Sequence, residues 1–243
     1  MEVGTGYRIG MPIGLWVCGA QRILTVDLNP YLKIELVRKD LEYIKNNFDA
    51  ISNIFETVND SVEWRERLEW IKRTDFESID VLDAFNIEYY APAKAENLKH
   101  VHNKSIDLHV SYTVLEHIPA PVIRNIIKEG KRILKDEGLF VHIVDLTDHF
   151  SHSDTSITSI NFYQYSDTMW KILAGNKFMY QNRMLPDEYL ELFTNEDVRV
   201  QIVNKVLDEN AHSQLGTDFK LNIFFQEFSH ETPAVSHIQI VAR

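Results

Sequence analysis

The stretch that decides the fold opens the chain: Glu2-Val3-Gly4-Thr5-Gly6, with Gly10 beyond it, and then Ile23-Leu24-Thr25-Val26-Asp27. Read as strand, glycine turn, helix and second strand, it is half of a nucleotide-binding βαβ unit. Gly4 and Gly6 let the backbone approach a ligand closely. Asp27, at the tip of the second strand, is placed to accept hydrogen bonds from ribose hydroxyls, which points to an adenosine-containing cofactor. The spacing Gly4-x-Gly6-x-x-x-Gly10 departs from the dinucleotide pattern G-x-G-x-x-G, which argues against a nicotinamide oxidoreductase.

Beyond Asp27, Leu32, Leu36, Leu41, Ile44, Phe48 and Ile51 recur at helical spacing, predicting one amphipathic helix over 31–54. A second charged helix is expected over Ser61 to Arg73, with Ser61 as N-cap. Ile87 to Tyr90 reads as a strand stopped by Pro92, and Ile106 to Val110 as a strand ending at Ser111. A helix from about Pro121 carries Val122, Ile123, Ile126, Ile127, Ile133 and Leu134 and is expected to stop at Gly138. Leu139 to Val144 follows as a strand with Asp145 at its end. Strands alternating with helices argue for a parallel sheet wound on both faces. The last hundred residues differ: a polar, aromatic stretch at about 146–183 reads as an inserted cap, and 206–235 as a possible second one. A helix over Pro186 to Phe193 leads to a strand at Val198 to Val203, preferred over Leu221 to Phe225, and Val235 to Ala242 closes the chain.

The 243 residues suit one α/β domain. A net charge of -11 without a long basic run disfavours nucleic acid as a partner. One cysteine, Cys18, excludes an intrachain disulfide and a cysteine-based zinc site, and its apolar setting predicts a buried thiol. No signal peptide opens the sequence, and no apolar run approaches the ~20 residues that span a bilayer, so a soluble cytoplasmic protein is expected.

These landmarks, in this order, resemble the class I S-adenosylmethionine-dependent methyltransferases, in particular the type 11/12 group. Glu2 to Gly6 looks like that family's glycine-rich first motif, and Asp27 like its ribose-binding acid. The run Asp107 to Ile118, with Val114-Leu115-Glu116-His117-Ile118 after a strand, is similar to the fourth motif. Gly130 to Val144 resembles the helix, turn and fifth strand, and Ser236 to Arg243 the antiparallel seventh strand. The resemblance implies a Rossmann-like, doubly wound seven-stranded sheet with an antiparallel last strand, in a three-layer α/β/α sandwich. It implies S-adenosyl-L-methionine as cofactor, with Glu2, Gly4, Thr5, Gly6, Asp27, Leu28, Lys94, Ala95 and Ser111 around it. Two departures bear on activity. Family members place an acid beside the alanine where this chain has Lys94-Ala95. The sequence also opens inside the first strand, ahead of which relatives carry a covering helical segment; truncation, a misassigned start or a real difference would each account for that.

The implied reaction is methyl transfer to a small-molecule or carbohydrate-type acceptor at oxygen or nitrogen; the alternative is a non-catalytic scaffold that retains the fold. Proximity and alignment carry such a transfer, and an oxygen nucleophile needs a base. His117 and His149 are the candidate bases. Related metal-dependent enzymes use Glu-x-x-Glu-His here; Thr113 stands in place of the first carboxylate, so no metal is expected at that motif. Asp145, Asp148, His149, His152 and Asp154 crowd the loop after the fifth strand and suit a base, a divalent ion or a solvated loop. Asn161 to Tyr165, Trp170, Tyr180, Asn182 and Arg183 mix flat rings with amide and guanidinium donors, a lining for a polar ring substrate or else a packed cap.

Overall fold

The computed structural model describes residues 1–58, 62–175, 180–215, 217, 219–226 and 232–243. The chain divides into two compact units, Met1–Ala95 and Glu96–Arg243. In the first, β1 (Glu2–Val3), β2 (Ile23–Val26) and β3 (Ile87–Tyr90) are parallel, in registers Glu2↔Thr25 and Val26↔Tyr90. β2 is buried along its whole length, which is why it reads as an unbroken apolar run. Between β1 and β2 lies α1 (Gly10–Val17); α2 (Ile34–Asn46), α3 (Phe48–Val58), α4 (Glu63–Arg73) and the short α5 (Val81–Ala84) lie between β2 and β3. Ile13, Val17, Leu41, Leu68, Ile71 and Phe85 form the core they share. The stacked rings of Phe76 and Phe85 meet Trp70 edge-on at 5.7 and 5.6 Å.

The single helix expected over 31–54 is two. Asn47 ends the first by donating both its backbone N–H and its Nδ2 to the carbonyl of Tyr43, at 3.0 and 2.9 Å. The proposed cap Ser61 lies outside the described residues, and α4 runs from Glu63. Cys18 is exposed, not buried, because it caps the C-terminus of α1 just beyond the last inward residue, Val17.

In the second unit β4 (Ile106–Tyr112) pairs in parallel with β5 (Leu134–Asp145) across α6 (Ala120–Ile133). Beyond β5 come α7 (Asp167–Ala174), α8 (Pro186–Thr194), β6 (Val200–Leu207), α9 (Glu209–Leu215) and β7 (Val235–Ala242). β7 is antiparallel to both β5 and β6. Among the described residues the strands make a seven-stranded mixed sheet, in the order β3-β2-β1-β4-β5-β7-β6, flanked by helices: the Rossmann-like arrangement expected. Leu221 to Phe225 is not a strand; its last three residues form a single 3-10 turn.

Gly138 does not stop α6. The helix ends at Ile133, Leu134 turns extended, and Gly138 lies within β5, where an added Cβ would stand 2.9 Å from Leu134 Cδ2 and 3.1 Å from the carbonyl oxygen of Ile106. The glycine there serves close approach of the neighbouring strand.

Candidate functional site

The turn after β1 is built on two left-handed glycines, Gly4 (φ 85°) and Gly6 (φ 63°). The Gly4 N–H donates to the Val26 carbonyl at 2.8 Å, tying the turn to the end of β2. The Gly6 N–H donates to Asp27 Oδ2 at 2.8 Å, and the Asn29 N–H to Asp27 Oδ1 at 2.9 Å. Each carboxylate oxygen accepts one such bond and keeps a second lone-pair direction. Where a Cβ of Gly6 would stand there is open space. Leu28, beside the acid, is 62% exposed. The Asp27 backbone bonds to Tyr90 and Ala93, which brings exposed Lys94 and buried Ala95 to the same strand ends.

Glu2 and Thr5 sit beneath this turn. Both are buried; the Thr25 hydroxyl donates to Glu2 Oε2, and Thr5 and Thr25 share a hydrogen bond of 2.6 Å. Burial raises the Glu2 carboxyl to about 7 against the opposing pull of the Thr25 bond. The pair therefore braces β1, β2 and the turn.

Ser111 belongs to the second unit. It is buried on β4, and its Oγ lies 2.7 Å from His142 Nδ1. His142 Nε2 faces His109 Nδ1 at 3.3 Å. Both imidazoles are buried, and desolvation holds them neutral: His142 falls to about 3, and His109 goes well below its usual value.

The loops after β4 and β5 meet at a second constellation. Thr113, a β-branched residue at φ 49°, turns the chain out of β4 into the 3-10 turn Leu115–His117. Such a backbone costs about 1–3 kcal/mol and persists where its surroundings over-determine it. The turn buries Glu116, 1% exposed, with no side-chain partner and no well-formed hydrogen bond to either carboxylate oxygen; the backbone N–H groups of Glu116 and Asp145 act on it weakly. Burial, helped by the charge of Asp145, raises its carboxyl to about 8. His117 Nδ1 donates to the Tyr180 carbonyl at 3.1 Å, leaving Nε2 as the acceptor nitrogen, and burial lowers its pKa. Its ring lies 4.8 Å from that of His149.

At the end of β5, Asp145 Oδ2 has three imidazole nitrogens around it: His149 Nε2 at 3.5 Å, His237 Nε2 at 3.7 Å and His152 Nε2 at 3.9 Å. Thr147 bonds Asp145 Oδ1 through its N–H and hydroxyl at 2.8 and 2.6 Å. Burial alone would raise Asp145, but these partners outweigh it and hold the carboxyl at about 2. Of the acids and imidazoles predicted for this loop, the fold gathers Asp145, His149 and His152. Asp148 accepts from Phe150 N and Asn161 Nδ2, and Asp154 from Ser156; both are used in local turns.

The aromatic and amide stretch is largely a packed cap. Phe162, Tyr163 and Trp170 are buried in one cluster with Leu185, Ala211 and Phe225. Arg183 is 9% exposed and holds the carbonyls of Phe162 and Tyr165 and the carboxylate of Asp167. Asn182 Nδ2 donates to the Leu115 and Ile118 carbonyls, both at 2.9 Å, and so clamps the Glu116-His117 turn. Gln181 bridges the Thr147 carbonyl and the His149 N–H. Sequence reasoning missed Glu116, Gln181 and the clamp, and it missed His109 and His142; an acid beside a histidine after a strand was the available signal for Glu116.

Residues 73–142 match the family model described as a methyltransferase domain. A search of curated proteins finds no match. Among solved structures, an S-adenosylmethionine-dependent methyltransferase from Mesorhizobium loti aligns over 100% of this chain and 88% of its own, at 13% identity and TM-score 0.51. A SAM-dependent methyltransferase from Methanosarcina mazei aligns over 99% and 89%, at 14% identity and TM-score 0.50. Geranyl diphosphate C-methyltransferase from Streptomyces coelicolor A3(2), solved with Mg2+, geranyl diphosphate and S-adenosyl-L-homocysteine, aligns over 99% and 70%, at 12% identity and TM-score 0.51. The fold is the one these solved methyltransferases have, and residues 73–142 resemble a methyltransferase domain. Among the described residues no helix is long and apolar enough to cross a membrane.

Proposed function

We propose that this chain binds S-adenosyl-L-methionine and transfers its methyl group to a small-molecule or carbohydrate-type acceptor, at oxygen or nitrogen. The observation that carries the reading is the bond from Gly6 N–H to Asp27: a half-buried carboxylate stands directly at an open glycine turn. Asp27 would receive both ribose hydroxyls, with Leu28 and the Lys94-Ala95 loop bordering the adenine. Gly4 and Gly6 would lie under the methionine portion, and Glu2 and Thr5 would support the turn from below. The sulfonium supplies the leaving group, so the protein's task is alignment of acceptor, methyl carbon and sulfur.

For an oxygen acceptor, His117 and His149 supply proton-accepting nitrogens. The bond from His117 Nδ1 to Tyr180 fixes the tautomer with a free Nε2, the form a general base requires. A net charge of -11 favours a neutral or cationic acceptor over nucleic acid, and we assign the protein to the cytoplasm.

Calorimetry with S-adenosylhomocysteine tests the cofactor assignment. Binding is expected in the wild type and is expected to weaken by about 100-fold or more in Asp27→Ala, since two charge-assisted bonds of about 1.5–3 kcal/mol each are lost. Equal affinity in both proteins overturns the placement.

A further inference from the structure

We propose that Glu116, His117 and His149 form a binding site for a divalent transition-metal ion of the zinc class. One donor atom from each lies within 4.8 Å of the others. A tetrahedral ion with bonds of ~2.0–2.1 Å needs donors about 3.4 Å apart, so the set closes by about 1.4 Å at most on binding. Two imidazoles and one carboxylate are a donor set for zinc, iron or manganese rather than for magnesium or calcium, which take oxygen ligands.

The independent observation is Glu116. It is 1% exposed and lies beside two imidazoles, and neither of its oxygens makes a well-formed hydrogen bond: the donors acting on it are the backbone N–H groups of Glu116 and Asp145. A buried carboxylate normally has hydrogen bonds or a cation, and a divalent ion supplies the missing partner. The surroundings resemble an outer shell. His117 donates its other ring nitrogen to a backbone carbonyl, as metal-bound imidazoles do, and Asn182 pins the turn that carries two of the three donors. Asp145 Oδ2 stands 3.5 Å from His149 Nε2, next to the set. His117 is exposed, so the ion keeps a face open to water or to a ligand hydroxyl. The missing carboxylate at Thr113 argued against a metal in the linear sequence; the third donor comes instead from the loop after β5.

The site stands apart from the cofactor assignment, because its test reads metal binding directly; with an ion bound, His117 and His149 serve as its ligands and not as proton acceptors. Co2+ alone is titrated into the full chain and followed by its visible d–d absorption, then displaced with Zn2+. One strongly absorbing Co2+ per chain is expected in the wild type. Glu116→Gln, near-isosteric and neutral, is expected to lose at least about 10-fold in affinity, as is His117→Ala at an exposed side chain. Both variants are checked by circular dichroism and for S-adenosylhomocysteine binding, which is expected to match the wild type. Loss of the cobalt signal with cofactor binding intact supports the site. Absence of binding in the wild type overturns it, and so does Co2+ bound equally well by Glu116→Gln, which would mean adventitious capture by His152 and His237.

Discussion

Replacing His142 with Gln should flatten the acid side of the protein's stability curve. The imidazole is buried, its Nδ1 2.7 Å from Ser111 Oγ and its Nε2 3.3 Å from His109 Nδ1. Desolvation lowers its pKa from 6.5 to about 3. Between those values the unfolded chain takes up a proton that the folded chain refuses. Stability therefore rises with pH across the window and is lost as pH falls below 6.5. At pH 5 the group lies about 1.5 units below its unfolded pKa, a loss of about 2 kcal/mol relative to pH 7. Gln keeps polar contacts to Ser111 and His109 but does not titrate. Urea unfolding at pH 7 and pH 5 gives the drop in stability for each protein, and the drop should be about 2 kcal/mol smaller in His142→Gln. Comparing drops cancels whatever the substitution costs at neutral pH, and it cancels the other titrating groups that the two proteins share. Parallel pH curves would refute the argument, because they would mean that the imidazole already carries its proton in the native state or is solvated.

Two further substitutions probe the second unit. Gly130→Ala should destabilise by about 1–3 kcal/mol by thermal or urea unfolding. Its Cβ would clash with Phe140 Cε1 and stand 3.2 Å from His109 Cδ2, and the gain in helix propensity is only about 1 kcal/mol; an added Phe140→Leu should recover part of the loss. Asn182→Ala strips bonds from the Leu115 and Ile118 carbonyls and from the Tyr189 hydroxyl. It should cost about 2–3 kcal/mol and raise amide hydrogen exchange across 115–118, whereas unchanged exchange there would show that the strained Thr113 turn holds itself.

The first three strands and the glycine turn were legible because local chemistry dictates them. Left-handed positions at Gly4 and Gly6 tolerate few other residues, β2 is a buried run, and the acid follows it directly. The bounds of β7, Val235 to Ala242, also followed from a short apolar alternation. Reading failed where a partner is distant. Gly138 looked like a helix stop, but the Ile106 carbonyl on the adjacent strand determines its place. Trp170 and Arg183 looked like a ligand lining, but they pack against Phe225 more than forty residues away. The pair His109–His142 arises only once β4 and β5 are in register, with Ser111 opposite His142.

By itself, then, the sequence determined the succession of the seven strands, the glycine turn and the acid that follows the second strand, because each depends on residues a few positions apart. Tertiary structure alone decided that Glu116 is sealed from water, that His117 and His149 approach each other, and that Tyr180, Gln181 and Asn182 brace them. Those properties come from loops of different strands meeting at one edge of the second unit. Burial and proximity across such a gap depend on packing, which no local spacing encodes.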